Sequence, residues 1–241
     1  VYCTLSKQQA AIYQKCVEEM QEALQEEEGI KRRGIVLSYL MRFKQICNHP
    51  AQFLGNGNFE AKDAGKFLRL EELSESITSR QEKLLVFTQF REMTQALHDH
   101  LQNCFGRAGM ILHGGTPVKE RAKLVQTFQE NDAVPFFVLS LKAAGTGLNL
   151  TAANHVIHFD RWWNPAVENQ ASDRAFRIGQ KRNVLIHKFI CKGTLEEKID
   201  ELLTDKQNLA DELLGAGAEK LLTQMSNEEL LNFIKLDSKQ L

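Results

Sequence analysis

The chain has 241 residues, a formal net charge of −1, and 43% apolar and 25% charged residues. Such a balance allows one large or two small hydrophobic cores and excludes a protein that is basic all over, so any nucleic-acid surface must be a local patch. No signal-peptide pattern is present, and no apolar run approaches the roughly 18 residues that a membrane span needs.

Residues 1 to 80 read as helical. "LSKQQAAIYQKCVEEM" opens with a capping box, Ser6 as cap and Gln9 three residues on, with Leu5 as staple. Ile12, Tyr13, Cys16, Val17, Met20 and Leu24 then recur at helical spacing. "QEEEG" and "KRRG" read as a charged helix end and a loop. A second helix, "IVLSYLMRFKQIC", should stop at "NHP", because the residue before Pro50 is pushed out of the α region. "GNGN" at 55 to 58 is a loop, and a third helix is expected over about 62 to 79.

From residue 81 to 192 strands alternate with helices. "KLLVFTQ", "AGMILH", "PFFVLS", "NHVIHF" and "VLIHKF" are short β-rich runs, continuous rather than alternating in apolar character. That pattern marks a parallel sheet buried on both faces, and hence α/β architecture. Thr116 and Pro117 read as the cap and first position of the helix "VKERAKLVQTFQ". Residues 193 to 241 return to helix. Leu195, Ile199, Leu202, Leu203, Leu209, Leu213 and Leu214 form an apolar stripe, "GAGAE" breaks it, and Ser226 with Glu229 makes a second capping box.

Two stretches carry chemistry. "LSLKAAGTGLNL" follows a strand, where open α/β sheets place their ligands, and Gly145 and Gly147 permit close backbone approach to a phosphate. A tight turn explains the pair equally well. In "NPAVENQASDRAFRIGQ", Asn164 and Pro165 can start a helix that ends at Gly179. On it Gln170, Arg174 and Arg177 share one face, and Ala171, Ala175 and Ile178 another. The bland alternative is a surface helix with an Asp173–Arg177 ion pair, worth on the order of 0.3–0.5 kcal/mol. The five cysteines and seven histidines show no metal-ligand spacing, so no metal is expected; the thiols fit a reducing compartment as buried, inert groups.

In order along the chain, "LMRFKQICNHP", "KLLVFTQF", "LHGGTPVKERAKLVQTFQ", "LSLKAAGTGLNLTAANHVIHFDRWWNP" and "QASDRAFRIGQKR" resemble the segment ahead of motif IV and motifs IV, IVa, V, Va and VI of the Swi/Snf-type DNA-dependent ATPases of helicase superfamily two. The resemblance covers about residues 5 to 213 and implies a RecA-like fold, the second lobe of a two-lobe motor. It divides the chain into protrusion-type helices (1–80), the lobe with motifs IV to VI (81–192), and a brace helix with a helical tail (193–241). If the brace crosses to a first lobe, its stripe should be partly exposed here; the alternative is an ordinary amphipathic core helix. "AGKF" at 64 to 67 lacks the hydroxyl residue and flanking strand of a phosphate loop, and no magnesium-binding acidic pair follows a strand. ATP with Mg2+ would therefore be held mainly by a first lobe of the same polypeptide, and the isolated chain would be inactive.

By the same resemblance Arg174 and Arg177 are arginine fingers, Gln170 couples the lobes, and Gly145, Gly147 and Asn149 form the turn beside the nucleotide. Thr88, Gln89, Lys142, Trp163 and Arg121 are implied on the track for double-stranded DNA; Arg121 reads equally as a surface helix residue, and packing beneath the motif VI helix is the alternative for Trp163 and the preferred reading for Trp162. The full protein would be an ATP-dependent double-stranded DNA translocase or remodelling ATPase. It would be monomeric, off the membrane and in the cytoplasm or nucleoid, or in the nucleus of a eukaryote; the short tail favours a bacterial or archaeal source. The alternatives are a lobe of an RNA-dependent or strand-separating helicase, or a non-enzymatic nucleic-acid-binding module.

Overall fold

The computed structural model describes residues 1–25, 27–144, 148–162, 164–174, 183–206 and 217–237. Its strands are β1 (Tyr2–Cys3), β2 (Leu84–Thr88), β3 (Met110–Leu112), β4 (Phe136–Ser140), β5 (His155–His158), β6 (Leu185–Lys188) and β7 (Ile190–Cys191). The helices are α1 (Lys7–Ala23), α2 (Gly29–Asn48), α3 (Pro50–Leu54), α4 (Gly65–Ser79), α5 (Met93–Phe105), α6 (Val118–Glu130), α7 (Leu141–Ala144), α8 (Pro165–Ser172), α9 (Leu195–Lys206), α10 (Gly217–Gln224) and α11 (Asn227–Ile234). The chain forms two units. One comprises Val1, Phe67–Trp162 and Val167–Phe189, and the other holds Tyr2–Lys66, the run 164–166 and the segments from Ile190 onward. The first and third sequence blocks thus share one unit, and most of α4 goes with the sheet.

In the first unit five parallel strands lie in the order β3-β4-β2-β5-β6. Every residue of β2, β4 and β5 is buried, as continuous apolar runs require of inner strands with both faces covered. Leu85, Phe87, Leu112, Phe128, Phe137, Leu139 and Val156 make up much of the core on one face. Each such side chain contributes about 1.5–3 kcal/mol of hydrophobic stabilisation. Lys83, just ahead of β2, donates from Nζ to the carbonyls of Phe128 (2.7 Å) and Asn131 (2.9 Å), closing the end of α6 with a cation.

The second unit joins its early and late helices through buried polar contacts. The Tyr13 hydroxyl donates to Ile234 O (3.0 Å) and accepts from Leu195 N (2.9 Å). Lys66, fully buried, reaches Glu196 Oε1 (2.7 Å) and Asn48 Oδ1 (3.1 Å). "AGKF" is therefore a structural joint. A Cβ on Gly65 would sit 1.8 Å from Thr4 O, so only glycine lets α4 start against that strand end.

Both capping boxes form as expected, at Ser6/Gln9 and Ser226/Glu229. His49, before Pro50, is extended (φ −166°, ψ 139°) and ends α2, and its Nδ1 then accepts from Ala51 N to start α3. Two expectations need correction. The loop placed at "KRRG" is the first part of α2, because Arg32 is held there by Asn227 Oδ1 (2.8 Å), Thr223 O (3.0 Å) and Met225 O (2.5 Å). Thr116 does not cap α6; its hydroxyl accepts from His113 N (3.1 Å), and Pro117 takes the cap position. Of the α9 stripe, Leu195, Ile199 and Leu203 are buried and Leu202 is half-buried, while Leu209, Leu213 and Leu214 lie outside the described residues.

Candidate functional site

Parallel strands put all their carboxyl ends at one edge, and that edge carries the candidate site. The segments after β2 (88–92), after β4 (141–144) and after β5 (159–162) meet there. The chain leaves β2 toward β3 on one side and leaves β5 toward β6 on the other. These two adjacent strands therefore form the switch point at which open sheets hold ligands.

Asp160 bridges that point. Its carboxylate accepts from the Thr88 hydroxyl (2.5 Å) and from Gln89 N (2.8 Å), while Thr88 Oγ1 accepts from Phe90 N (3.1 Å). Thr88 is fully buried, so its hydroxyl serves this bridge. Gln89 is half-buried beside it. Arg121 is also committed locally. Its guanidinium donates to Thr116 O (3.0 Å) and Gly114 O (3.2 Å) and so shapes the turn ahead of α6.

The loop after β5 is held by Glu168, fully buried in the first turn of α8. Its Oε1 accepts from Arg161 Nε (2.7 Å) and Trp162 N (3.0 Å), and Lys188 Nζ lies 3.3 Å from Oε2. Trp162 is partly buried and packs against the sheet core. The ring of His158 takes part in the same brace. Ser172 Oγ donates to Glu168 O (3.1 Å), so His158 Nε2 is the donor to Ser172 Oγ (2.9 Å), which makes the imidazole the neutral Nε2–H tautomer. Burial pushes the His158 pKa down to about 4; Glu168 opposes the shift, and the Lys188 and Arg161 charges add to it.

Among the described residues Gln170 and Arg174 do not share one face of a continuous helix. α8 ends at Ser172, and Arg174 N turns back to Ala171 O (3.2 Å), an i→i−3 bond that tightens the chain out of the helix. Arg174 O then accepts from Leu150 N (2.9 Å), tying the stretch after α7 to the end of α8. Gln170 is exposed, Ala171 is buried, and Arg174 is only 6% exposed. Arg174 Nε is buried and has no acceptor among the described residues. Lys142 and Asn149 are exposed. Gly145, Gly147, Trp163 and Arg177 lie outside the described residues.

Sequence reasoning missed Asp160, Glu168, His158 and Ser172. The one available signal was an acidic residue in the first turn of a short helix, seven positions after an arginine that stands three residues past a buried strand. Among the described residues Cys47, Cys191 and Glu196 come close enough to share a metal ion. Glu196 is already engaged there by the Lys66 ammonium and by Cys191 N (3.0 Å), and the Cys191 thiol donates to Cys47 O (3.4 Å). A fixed cation in the cluster opposes a second one. Burial pushes the Cys3 and Cys16 thiols up to about 12, which keeps both protonated and unreactive.

A solved structure titled "Sulfolobus solfataricus SWI2/SNF2 ATPase C-terminal domain" superposes with a TM-score of 0.84 and 40% identity, over 98% of this chain and 97% of that one. The chain belongs to the SWI2/SNF2 ATPases. Its sheet and flanking helices are those of the RecA-like C-terminal lobe of that family. The "Sulfolobus solfataricus SWI2/SNF2 ATPase core in complex with dsDNA" gives a TM-score of 0.88 and 43% identity, and this SWI2/SNF2 chain covers 49% of it. The helicase conserved C-terminal domain family matches residues 65–179. A putative ATP-dependent helicase/translocase of Bacillus subtilis, YwqA, is 45% identical over 98% of this chain. The chain spans 26% of YwqA, and 22% of an uncharacterised ATP-dependent helicase of Mycoplasma pneumoniae that is 34% identical. Among the described residues no helix is long and apolar enough to cross a membrane.

Proposed function

We propose that this chain is the second motor lobe of an ATP-dependent double-stranded DNA translocase, acting with a first RecA-like lobe in the same polypeptide. The observation that carries the reading is its likeness, over 98% of its length, to a SWI2/SNF2 core solved with double-stranded DNA. ATP and its Mg2+ sit mainly on the first lobe. The chemistry supplied here is positive charge: Arg177 and Arg174 reach the γ-phosphoryl group, where such a finger is worth about 10³–10⁵ in rate. A buried Arg174 whose Nε lacks an acceptor among the described residues suits an anion arriving from outside the lobe.

The brace built on Glu168, Arg161 and His158 supports this role by holding the loop after β5 rigid against α8. Gln170, which is exposed, couples the two lobes, and Gly145, Gly147 and the exposed Asn149 serve the nucleotide. DNA contact falls to Lys142, Gln89 and Trp163. Thr88 and Arg121 act on the DNA through the turns they fix, since their polar groups are bonded within the chain. Contacts of this kind grip phosphates, so binding is sequence-independent and weakens steeply with salt. The motor works as a monomer in the nucleoid, or in the nucleus of a eukaryote.

The test is steady-state ATP hydrolysis by the full-length protein with duplex DNA, single-stranded DNA or duplex RNA, each of several sequences. Stimulation by duplex DNA of any sequence is expected. Equal stimulation by RNA, or none by any nucleic acid, contradicts the reading.

A further inference from the structure

Strand β6 ends the sheet order, and among the described residues its one strand partner is β5. Two adjacent apolar residues on it stand open, Leu185 at 48% and Ile186 at 47% exposure. A bare apolar edge strand is an invitation to pair, and proteins normally cover or charge such an edge. The amides of Leu185 and Phe189 donate to Asn154 O (2.8 Å) and His158 O (3.0 Å), so the odd-numbered amides of β6 face β5. Those of Ile186 and Lys188 alternate with them and point to the open side.

The other end of the chain arrives at that side. β1 runs parallel to β7, with Tyr2 opposite Ile190 and Cys3 opposite Cys191. Phe189 alone separates β7 from β6. One register step further back, Val1 N donates to Lys188 O (2.8 Å). This is the bond that the same parallel register gives.

We propose that the polypeptide leading into Val1 in the full-length protein continues this register and adds a sixth, parallel strand along β6. The inference rests on the reading that the chain is one lobe of a longer polypeptide. The second residue ahead of Val1 then stands opposite His187, donating its N–H to Ile186 O and accepting from Lys188 N. The fourth stands opposite Leu185, donating to Val184 O and accepting from Ile186 N. The added strand covers Leu185 and Ile186 and clamps the segment that enters from the first lobe onto the sheet of the second.

The test is residue-resolved amide hydrogen exchange on the full-length protein. Ile186 and Lys188 should exchange at least about a hundredfold more slowly than unstructured amides. Proline at the second residue ahead of Val1, which removes a bonded N–H, should raise both rates at least about tenfold, whereas proline at the first residue ahead, whose N–H points away, should leave them unchanged. Unprotected Ile186 and Lys188 amides in the parent overturn the proposal. So does protection that neither proline alters, since another element would then cover the edge. Exchange does not read ATP hydrolysis, so a failure here is separable from a failure of the motor reading.

Discussion

Replacing Glu168 by alanine probes the brace under the site. The carboxylate is fully buried and accepts from Arg161 Nε at 2.7 Å and Trp162 N at 3.0 Å. Arg161 is itself only 3% exposed, so alanine takes the Glu168 charge away from an interior guanidinium. Breaking a buried pair from one side costs about 3–5 kcal/mol. Lys188, with a side chain 36% exposed, regains water and adds little. Glutamine keeps one acceptor and the shape but loses the charge, for a cost of about 1–3 kcal/mol. Urea unfolding of the 241-residue chain, followed by tryptophan fluorescence, reads both losses; Trp162 reports on the loop itself. The order alanine worse than glutamine worse than wild type is expected. An alanine variant within about 0.5 kcal/mol of wild type would show that Glu168 is not the anchor of this loop.

Other predictions follow from the same contacts. His158 has a folded pKa of about 4, below the usual 6.5, so the unfolded chain binds more protons between those values and stability falls as pH drops through that window. At about 1.4 kcal/mol per pH unit the loss approaches ~3 kcal/mol by pH 4, and His158→Gln should flatten the acid limb of the stability profile. Lys66→Met should cost about 3–5 kcal/mol by stranding Glu196, while Lys66→Met with Glu196→Leu should recover most of it; a double variant as unstable as the single refutes a burial-driven cost. Arg32→Ala removes three hydrogen bonds to the stretch 223–227 and should lower stability by about 1.5–3 kcal/mol, with faster amide exchange in the first turn of α2 and in α11. Unchanged exchange in both places argues against that anchor.

What the sequence disclosed depended on how local the cause was. β2, β4 and β5 were legible because inner strands are apolar at every position, and the two capping boxes because their partners stand three residues apart. The helical state of "KRRG" was not, since the contact that holds Arg32 comes from residues about 190 positions later. The two-residue strands β1 and β7 carry too little pattern to read alone. In the site, helical spacing put Gln170 and Arg174 on one face. The chain instead tightens after Ser172, because Arg174 O is taken by Leu150 N from another loop. Asp160 and Glu168 look like surface charges in sequence and become interior braces only when the fold brings Thr88 and Arg161 to them.

The central claim is that this lobe delivers the arginine for phosphoryl transfer. The most direct measurement is kcat of the full-length protein at saturating ATP and duplex DNA, for wild type, Arg177→Ala and Arg177→Lys. A fall of about 10³-fold or more in both variants, with the KM for ATP and DNA affinity little changed, is predicted, because a lysine cannot spread its charge over the equatorial oxygens as a guanidinium does. Wild-type turnover in Arg177→Ala would contradict it and reduce the residue to a surface cation.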